Sequence, residues 1–446
     1  MAERLDADAS PEKRLFVSLI TRDIPLVAAF LDLIDNSVNA AIEPFSAQLK
    51  TAPDYLSVLH DEEIAPKVLI SLDISDAKVV INDEATGISA KVAEHHVFKF
   101  GRAEGEAHEH DRLSVYGIGL KRAIFKLGNL ITIKSDHVAG GFDMKLNVAR
   151  WLKADKGPWV FPITVRSPAD PSKCGTSIAV EGLYDEVRRR ISDGVFVGQL
   201  RDAIARTYAF YLTKFVVIQV NGSSVEPISI DIGENHASEE FTTDGVSCAI
   251  TAGIGIPQGG TFRDRSSGWF VFCNGRAVVS ADKTQLTGWG IGATGLPLFQ
   301  PKHRPFIGTV FFVCEDAEKL PWTTTKSGIN EDSSIWQEAK RQMSAIGRTV
   351  ISFLDSRYND EGTEIASPDL QIAAGTKTNV ITAAVATRRS FEAPKAPPPE
   401  NVKIQYSAKV VDVKRIETYL RRPGMGGSEV GRHTFHYFLR NEVGEK

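Results

Sequence analysis

The sequence predicts a mixed α+β protein of more than one domain. Three observations carry that reading: an apolar helix with a polar stripe near the start, a series of strand-length runs between residues 68 and 183, and a second series after residue 215 closed by a long helix. At 446 residues the chain is long enough for two or three domains, each burying its own core. Hydrophobic residues at 42% and charged residues at 24% are ordinary globular proportions, which excludes a wholly disordered, collagenous or coiled-coil chain. With 52 Lys and Arg against 56 Asp and Glu the formal charge is −4, so any nucleic-acid or membrane surface has to be local.

In order, residues 25–42 (PLVAAFLDLIDNSVNAAI) read as a helix, with Pro25 suited to the first turn and Asp23 near the cap. Asp32, Asp35, Asn36 and Asn39 fall at i, i+3, i+4 and i+7, which puts four polar groups on one face of an otherwise apolar helix and points to a site. The runs at 68–74 and 77–83 read as a hairpin presenting Asp83 at its end, before a turn at 84–87. Residues 99–112 are polar and aperiodic, the pattern of a mobile loop, and lead into SVYGIGLKRAIFKLG (114–128), a Gly-rich turn opening a short helix. Strands follow at 130–135, 141–148 and 175–183, then a helix at 195–213. The second series holds runs at 215–222, 268–279 and 308–316 and a helix near 334–356. The expected domains are 1–200 and 201–357, then a linker over 358–400 containing EAPKAPPPE, and a segment at 401–446 with nine Lys/Arg against five Asp/Glu and interleaved aromatics.

Several chemistries are excluded. The chain has no GxxxxGK[ST], no GxGxxG after a strand, no GxSxG and no HExxH. Cys174, Cys248, Cys273 and Cys314 lie far apart without a CxxC, so reduced, buried thiols are expected rather than a zinc site or disulfide framework. His108 and His110 sit in the polar loop without partner cysteines and read as solvated loop residues. The N-terminal MAERLDADASPEKR is charged where a signal peptide has an apolar core, and no run approaches a spanning length, so a cytoplasmic location and no membrane partner are expected.

What remains is a constellation. A carboxylate one helical turn from a carboxamide (Asp32, Asn36) can orient water and complete an Mg²⁺ shell. A buried Asp83 can accept from an exocyclic amine such as adenine's. Glycines before a helix (Gly117, Gly119) let backbone N–H groups approach phosphates, and Lys121 adds a point charge.

The order and spacing of these motifs resemble the GHKL superfamily, which includes gyrase B subunits, MutL and MORC proteins, histidine kinases and the ninety-kilodalton heat-shock chaperones. LDLIDNSVNAA (31–41) is similar to its N-box, NDEATGIS (82–89) to its DxGxG segment, SVYGIGLKRA (114–123) to its second glycine motif and GTSI (175–178) to its threonine-bearing strand. VNG (220–222), GWFVFCNGR (268–276) and PWTTTKSGI (321–329) resemble the transducer domain of MutL- and MORC-like members. The resemblance covers about residues 20–357. It implies a Bergerat-type α/β sandwich that binds ATP with Mg²⁺, followed by an S5-like α/β transducer domain.

Carried over residue by residue, the resemblance makes Asp32 the base, Asn36 the metal ligand and Lys326 the lysine that reaches the γ-phosphate. Asn39, Ala40, Asp83, Gly87, Ile88, Gly117, Ile118, Gly119, Leu120, Lys121 and Thr176 would line the nucleotide. Asp32 is one methylene shorter than the usual Glu, which implies slow turnover; Ala85 replaces the first glycine of DxGxG, and Asn39 the aspartate common in the N-box. The implied activity is ATP hydrolysis driving lid and domain closure, with homodimerisation on ATP and action on a protein effector or nucleic acid. The alternative is a non-hydrolysing ATP-binding scaffold.

Overall fold

A computed structural model describes residues 12–58, 67–100, 112–113, 117–154, 158–257, 261–262, 264–358, 370, 373, 375, 377–379, 389–393, 404 and 406–444. The chain divides into two compact units, residues 1–395 and 396–446.

The first unit opens with α1 (Lys13–Arg22) and α2 (Leu26–Ile42), followed by the short α3 (Ala52–Ser57). The strands β1 (Val68–Ile74) and β2 (Lys78–Asp83) form the expected hairpin. Next come α4 (Ala90–Val92), α5 (Gly119–Leu127), β3 (Gly128–Asp136), β4 (Phe142–Asn147), α6 (Val148–Lys153), β5 (Ile163–Val165) and β6 (Gly175–Leu183). The helices α7 (Asp185–Ser192), α8 (Phe196–Thr207) and α9 (Ala209–Lys214) lead to β7 (Val216–Val220) and β8 (Ser223–Ser224). Eight strands make one sheet in the order β5-β4-β3-β6-β2-β1-β7-β8, with β1 and β7 parallel. The expected helix at 195–213 is thus two helices, parted at Tyr208, and β7 joins the first sheet although it lies past residue 200.

α2 runs for seventeen residues after Pro25, which is its N-cap residue rather than part of its first turn. Its apolar face (Phe30, Leu33, Ile34, Val38, Ala41) is fully buried and packs on α5. Burying each such side chain stabilises the fold by roughly 1.5–3 kcal/mol, so the helix is fixed along its whole length and its polar stripe is held rigidly.

The second sheet comprises β9 (Asp231–Thr243), β10 (Val246–Gly255), β11 (Gly268–Cys273), β12 (Arg276–Asp282) and β13 (Phe306–Val313), covered by α10 (Ser334–Ser356) and extended by β14 (Lys377–Asn379). The order is β12-β11-β13-β10-β9-β14, with β11 and β13 parallel. The run at 268–279 turns back at Asn274–Gly275 into the β11–β12 hairpin. The β9–β10 hairpin, not anticipated above, turns at Asp244–Gly245, where both residues have positive φ as a two-residue type I′ loop requires.

The expected linker over 358–400 is corrected in part. β14 pairs with β9, Arg389 bridges Ser238, and Phe391 is buried against Phe353. Composition reports chain stiffness; it does not report an edge strand waiting to be paired.

In the second unit α11 (Val410–Tyr419) and α12 (Gly427–Phe438) form a helical hairpin that buries Met425 and Val430. Tyr406, Tyr419, Phe435, Tyr437 and Phe438, the aromatics noted in this basic segment, are exposed. Cys248, Cys273 and Cys314 are buried thiols, whereas Cys174 is only half-buried. Among the described residues no helix is long and apolar enough to cross a membrane, and no group of three His, Cys, Asp or Glu is placed to hold a metal.

Candidate functional site

The sheet register brings the first group together. Asp83, at the end of β2, stands opposite Ile70 of β1 and Thr176 of β6, beneath α2. Its Oδ2 accepts from the Ser37 hydroxyl at 2.8 Å, and its Oδ1 accepts from the backbone N–H groups of Ala85 and Thr176, each at 3.2 Å. Burial pushes the Asp83 carboxyl above the usual range, and those three neutral donors pull it back. The chain of contacts continues. The Thr176 and Ser135 hydroxyls are 3.0 Å apart, and Ser135 Oγ accepts from the Ile88 N–H at 2.7 Å. Gly87 turns the loop between Asp83 and α4 with φ of +71°, and a methyl group there would lie 2.0 Å from the Asp136 carbonyl oxygen. Gly87→Ala is therefore expected to lower stability by about 1–3 kcal/mol from the positive φ alone, with more from the displaced backbone. Thermal unfolding would read this, and an unchanged midpoint would contradict it.

The second group sits at the N-terminus of α5. Gly117 has φ of +61°, Ile118 precedes the helix, and Gly119 begins it, with the Asp32 carboxyl 3.7 Å from where its side chain would start. Asp32 does not stand alone. Arg122, one turn into α5, grips it through two of its three guanidinium nitrogens, Nε to Oδ2 and Nη2 to Oδ1, the latter at 2.6 Å. Burial raises the Asp32 carboxyl, while the Arg122 guanidinium opposes the rise. Asn36 donates its Nδ2 to the Asp32 carbonyl at 2.8 Å, which turns its Oδ1 the other way, the orientation a hard cation needs from a neutral oxygen donor.

Lys121 is placed differently from the expectation of a phosphate contact. Its ammonium donates to the carbonyls of Val97 and Lys99, both at 2.7 Å, and lies 5.7 Å from the Phe100 ring. Lysine's long stem folds back under α5, so its charge anchors the segment before residue 101. Asn39 Oδ1 accepts from the N–H groups of Arg112 at 2.9 Å and Leu113 at 3.3 Å, which fastens the far end of that segment to α2. Residues 101–111 between these anchors, including His108 and His110, and residues 114–116 lie outside the described residues. Ala40 on α2 is half-buried and Leu120 on α5 is buried.

The third group crosses 291 residues of sequence. Lys326, in the turn between Thr323 and Gly328, donates from Nζ to Asp35 Oδ2 at 2.7 Å. Arg276 at the start of β12 donates from Nε to Asp35 Oδ1 at 2.9 Å and from Nη1 to the Lys326 carbonyl at 2.8 Å. The Tyr208 hydroxyl is 2.7 Å from the same Oδ1. Burial alone would raise the Asp35 carboxyl, yet Arg276, Lys326 and Tyr208 together hold it below the usual range. All three charged residues are buried.

A cavity of about 410 Å³ opens beside these groups, lined by Ile20, Asp23, Ile118, Gly119, Arg122 and Lys326 among others. Arg122, Lys326 and the N-terminus of α5 border it together with Asp23, and each of the two cations is itself paired with a carboxylate. Sequence reasoning missed Arg122, Arg276, Tyr208, Ser37 and Ser135. Arg122 had a signal, since it adjoins the glycine motif on the face toward α2; the rest had none beyond being polar in buried runs.

A half-buried carboxylate at a strand end, a helix carrying Asp and Asn one turn apart, and a glycine turn opening a second helix thus lie together in one α/β layer. Residues 24–173 match the family of histidine kinase-, DNA gyrase B- and HSP90-like ATPases, which supports a GHKL-type ATP-binding domain over that part of the chain. No curated protein matches the chain. Asp32, Asn36, Asp83 and the glycine turns fall within the matched residues; Thr176 lies just beyond them and Lys326 far beyond.

Proposed function

We propose that this chain binds ATP with Mg²⁺, hydrolyses it slowly, and couples the nucleotide state to lid and domain closure, with dimerisation of the closed form. The observation that carries the reading is Asp83, a half-buried carboxylate at a strand end below α2 whose hydrogen bonds among the described residues all come from neutral donors. Such a group has acceptor capacity left for an amine but none for a carbonyl oxygen. The residues present fit the rest of the ligand. Asn36 Oδ1 would hold Mg²⁺, which neutralises phosphate charge; Gly117, Ile118 and Gly119 would face the phosphates; and Asp32 would take the proton of the attacking water. Lys326 would read the γ-phosphate from the second sheet, which plays the part of a transducer domain. A partner protein or nucleic acid would respond to the closed form.

Adenine nucleotides should bind and guanine nucleotides should not, because guanine turns a carbonyl oxygen toward Asp83. Asp83→Asn keeps the shape but swaps an acceptor for a donor, and should weaken ATP by about 1–3 kcal/mol. Calorimetric titration with ATP and GTP tests both; equal affinities would remove the adenine assignment. A non-hydrolysing scaffold is the second reading, favoured by the neutralisation of Asp32 by Arg122, and full ATP affinity with no phosphate release would select it.

A further inference from the structure

Arg122 and Lys326 both line the cavity, yet each already holds a carboxylate, Asp32 and Asp35 respectively. The two pairs differ in what they leave behind when broken. Asp35 keeps Arg276 and Tyr208 if Lys326 moves. Among the described residues, Arg122 is the cation paired with Asp32, and it occupies both carboxylate oxygens. A carboxylate gripped through both oxygens is poorly disposed to accept a proton from water. The guanidinium has a planar fork of donors that matches a phosphate as well as a carboxylate, and a terminal phosphate carries more charge than one carboxylate. Its side chain is 10% exposed, against 2% for Asp32, so the arginine is the partner with access to the cavity.

Resting on the ATP reading above, we propose that Arg122 is a γ-phosphate switch: in the nucleotide-free chain it shields Asp32, and on ATP binding it transfers to the γ-phosphate and releases Asp32 to act as base. The step then balances. The water oxygen bonds to the γ-phosphorus, the bond to the β,γ-bridging oxygen breaks with its electron pair leaving on ADP, and the water proton passes to Asp32. ADP, without a third phosphate, leaves the arginine where it is. The base is therefore uncovered only when there is something to hydrolyse. A ligand shifts such an exchange only through its differential affinity for the two arrangements, so the switch must appear as a difference between ATP and ADP.

The test compares full-length wild type, Arg122→Gln, Arg122→Lys and Asp32→Asn for Mg²⁺-dependent affinity toward ADP and a non-hydrolysable ATP analogue. Arg122→Gln should weaken the analogue about ten- to hundredfold, the worth of a charge-assisted bidentate contact, while ADP affinity stays within about twofold. Arg122→Lys, a point charge without the fork, should fall between. Asp32→Asn should bind the analogue at least as tightly as wild type, because the arginine no longer has to be drawn away. Equal losses for both nucleotides in Arg122→Gln would overturn the switch. So would lost turnover with unchanged analogue affinity, which would make Arg122 a residue that only positions Asp32, and so would weaker analogue binding by Asp32→Asn. Should Arg122→Gln fail to fold, the analogue-to-ADP ratio of Arg122→Lys decides by the same criterion. Wild type binding neither nucleotide would instead defeat the ATP reading itself.

Discussion

Asp35→Asn should lower the unfolding free energy by about 3–5 kcal/mol, the loss found when one partner of a buried ion pair is removed and the other stays buried. Here two cations would be stranded. Arg276 is 4% and Lys326 6% exposed, and both lean on this one carboxylate. Lys326→Ala should cost much less, because Asp35 retains Arg276 at 2.9 Å and the Tyr208 hydroxyl at 2.7 Å. The sign with pH follows. The folded carboxyl lies below its ordinary range, so its contribution is present above the unfolded value near about 3.9 and is lost as pH falls through the lower folded value. Denaturant unfolding of the two variants at neutral pH tests the asymmetry. Equal destabilisation would mean that Asp35 is no hub and that the second sheet is held to α2 by other contacts.

Asp32→Asn should reduce ATP turnover by about 10²–10⁴-fold, the usual contribution of a positioned base. Stability should fall less than for Asp35→Asn, since the stranded Arg122 borders the cavity and water can reach it. Phosphate release by wild type and variant prepared side by side decides the matter. An unchanged rate would place the base elsewhere and strengthen the scaffold reading.

Much of the fold was legible because it rests on local periodicity. The helix at 334–356 and the strand at 68–74 coincide with α10 and β1, and α2 differs from expectation only at Pro25. The elements that escaped are those whose identity depends on a partner. β14 is three residues that become a strand because β9 offers an edge, and Tyr208 breaks a helix in order to reach Leu31 and Asp35. The β9–β10 hairpin did carry a local signal, Asp244–Gly245, and could have been read from it.

The sequence by itself determined that α2 carries a polar stripe and that Asp83 ends a strand before a glycine turn. These follow from spacing, which a helix or strand converts directly into geometry. Only the tertiary structure decided how the charges are shared out. On the same stripe, Asp32 went to Arg122 of α5 and Asp35 to Lys326 and Arg276, while Lys121 turned to the carbonyls of Val97 and Lys99. Pairing between residues 90 to 291 positions apart leaves no periodic trace, because it is settled by which side chains are buried together and must neutralise one another to remain so.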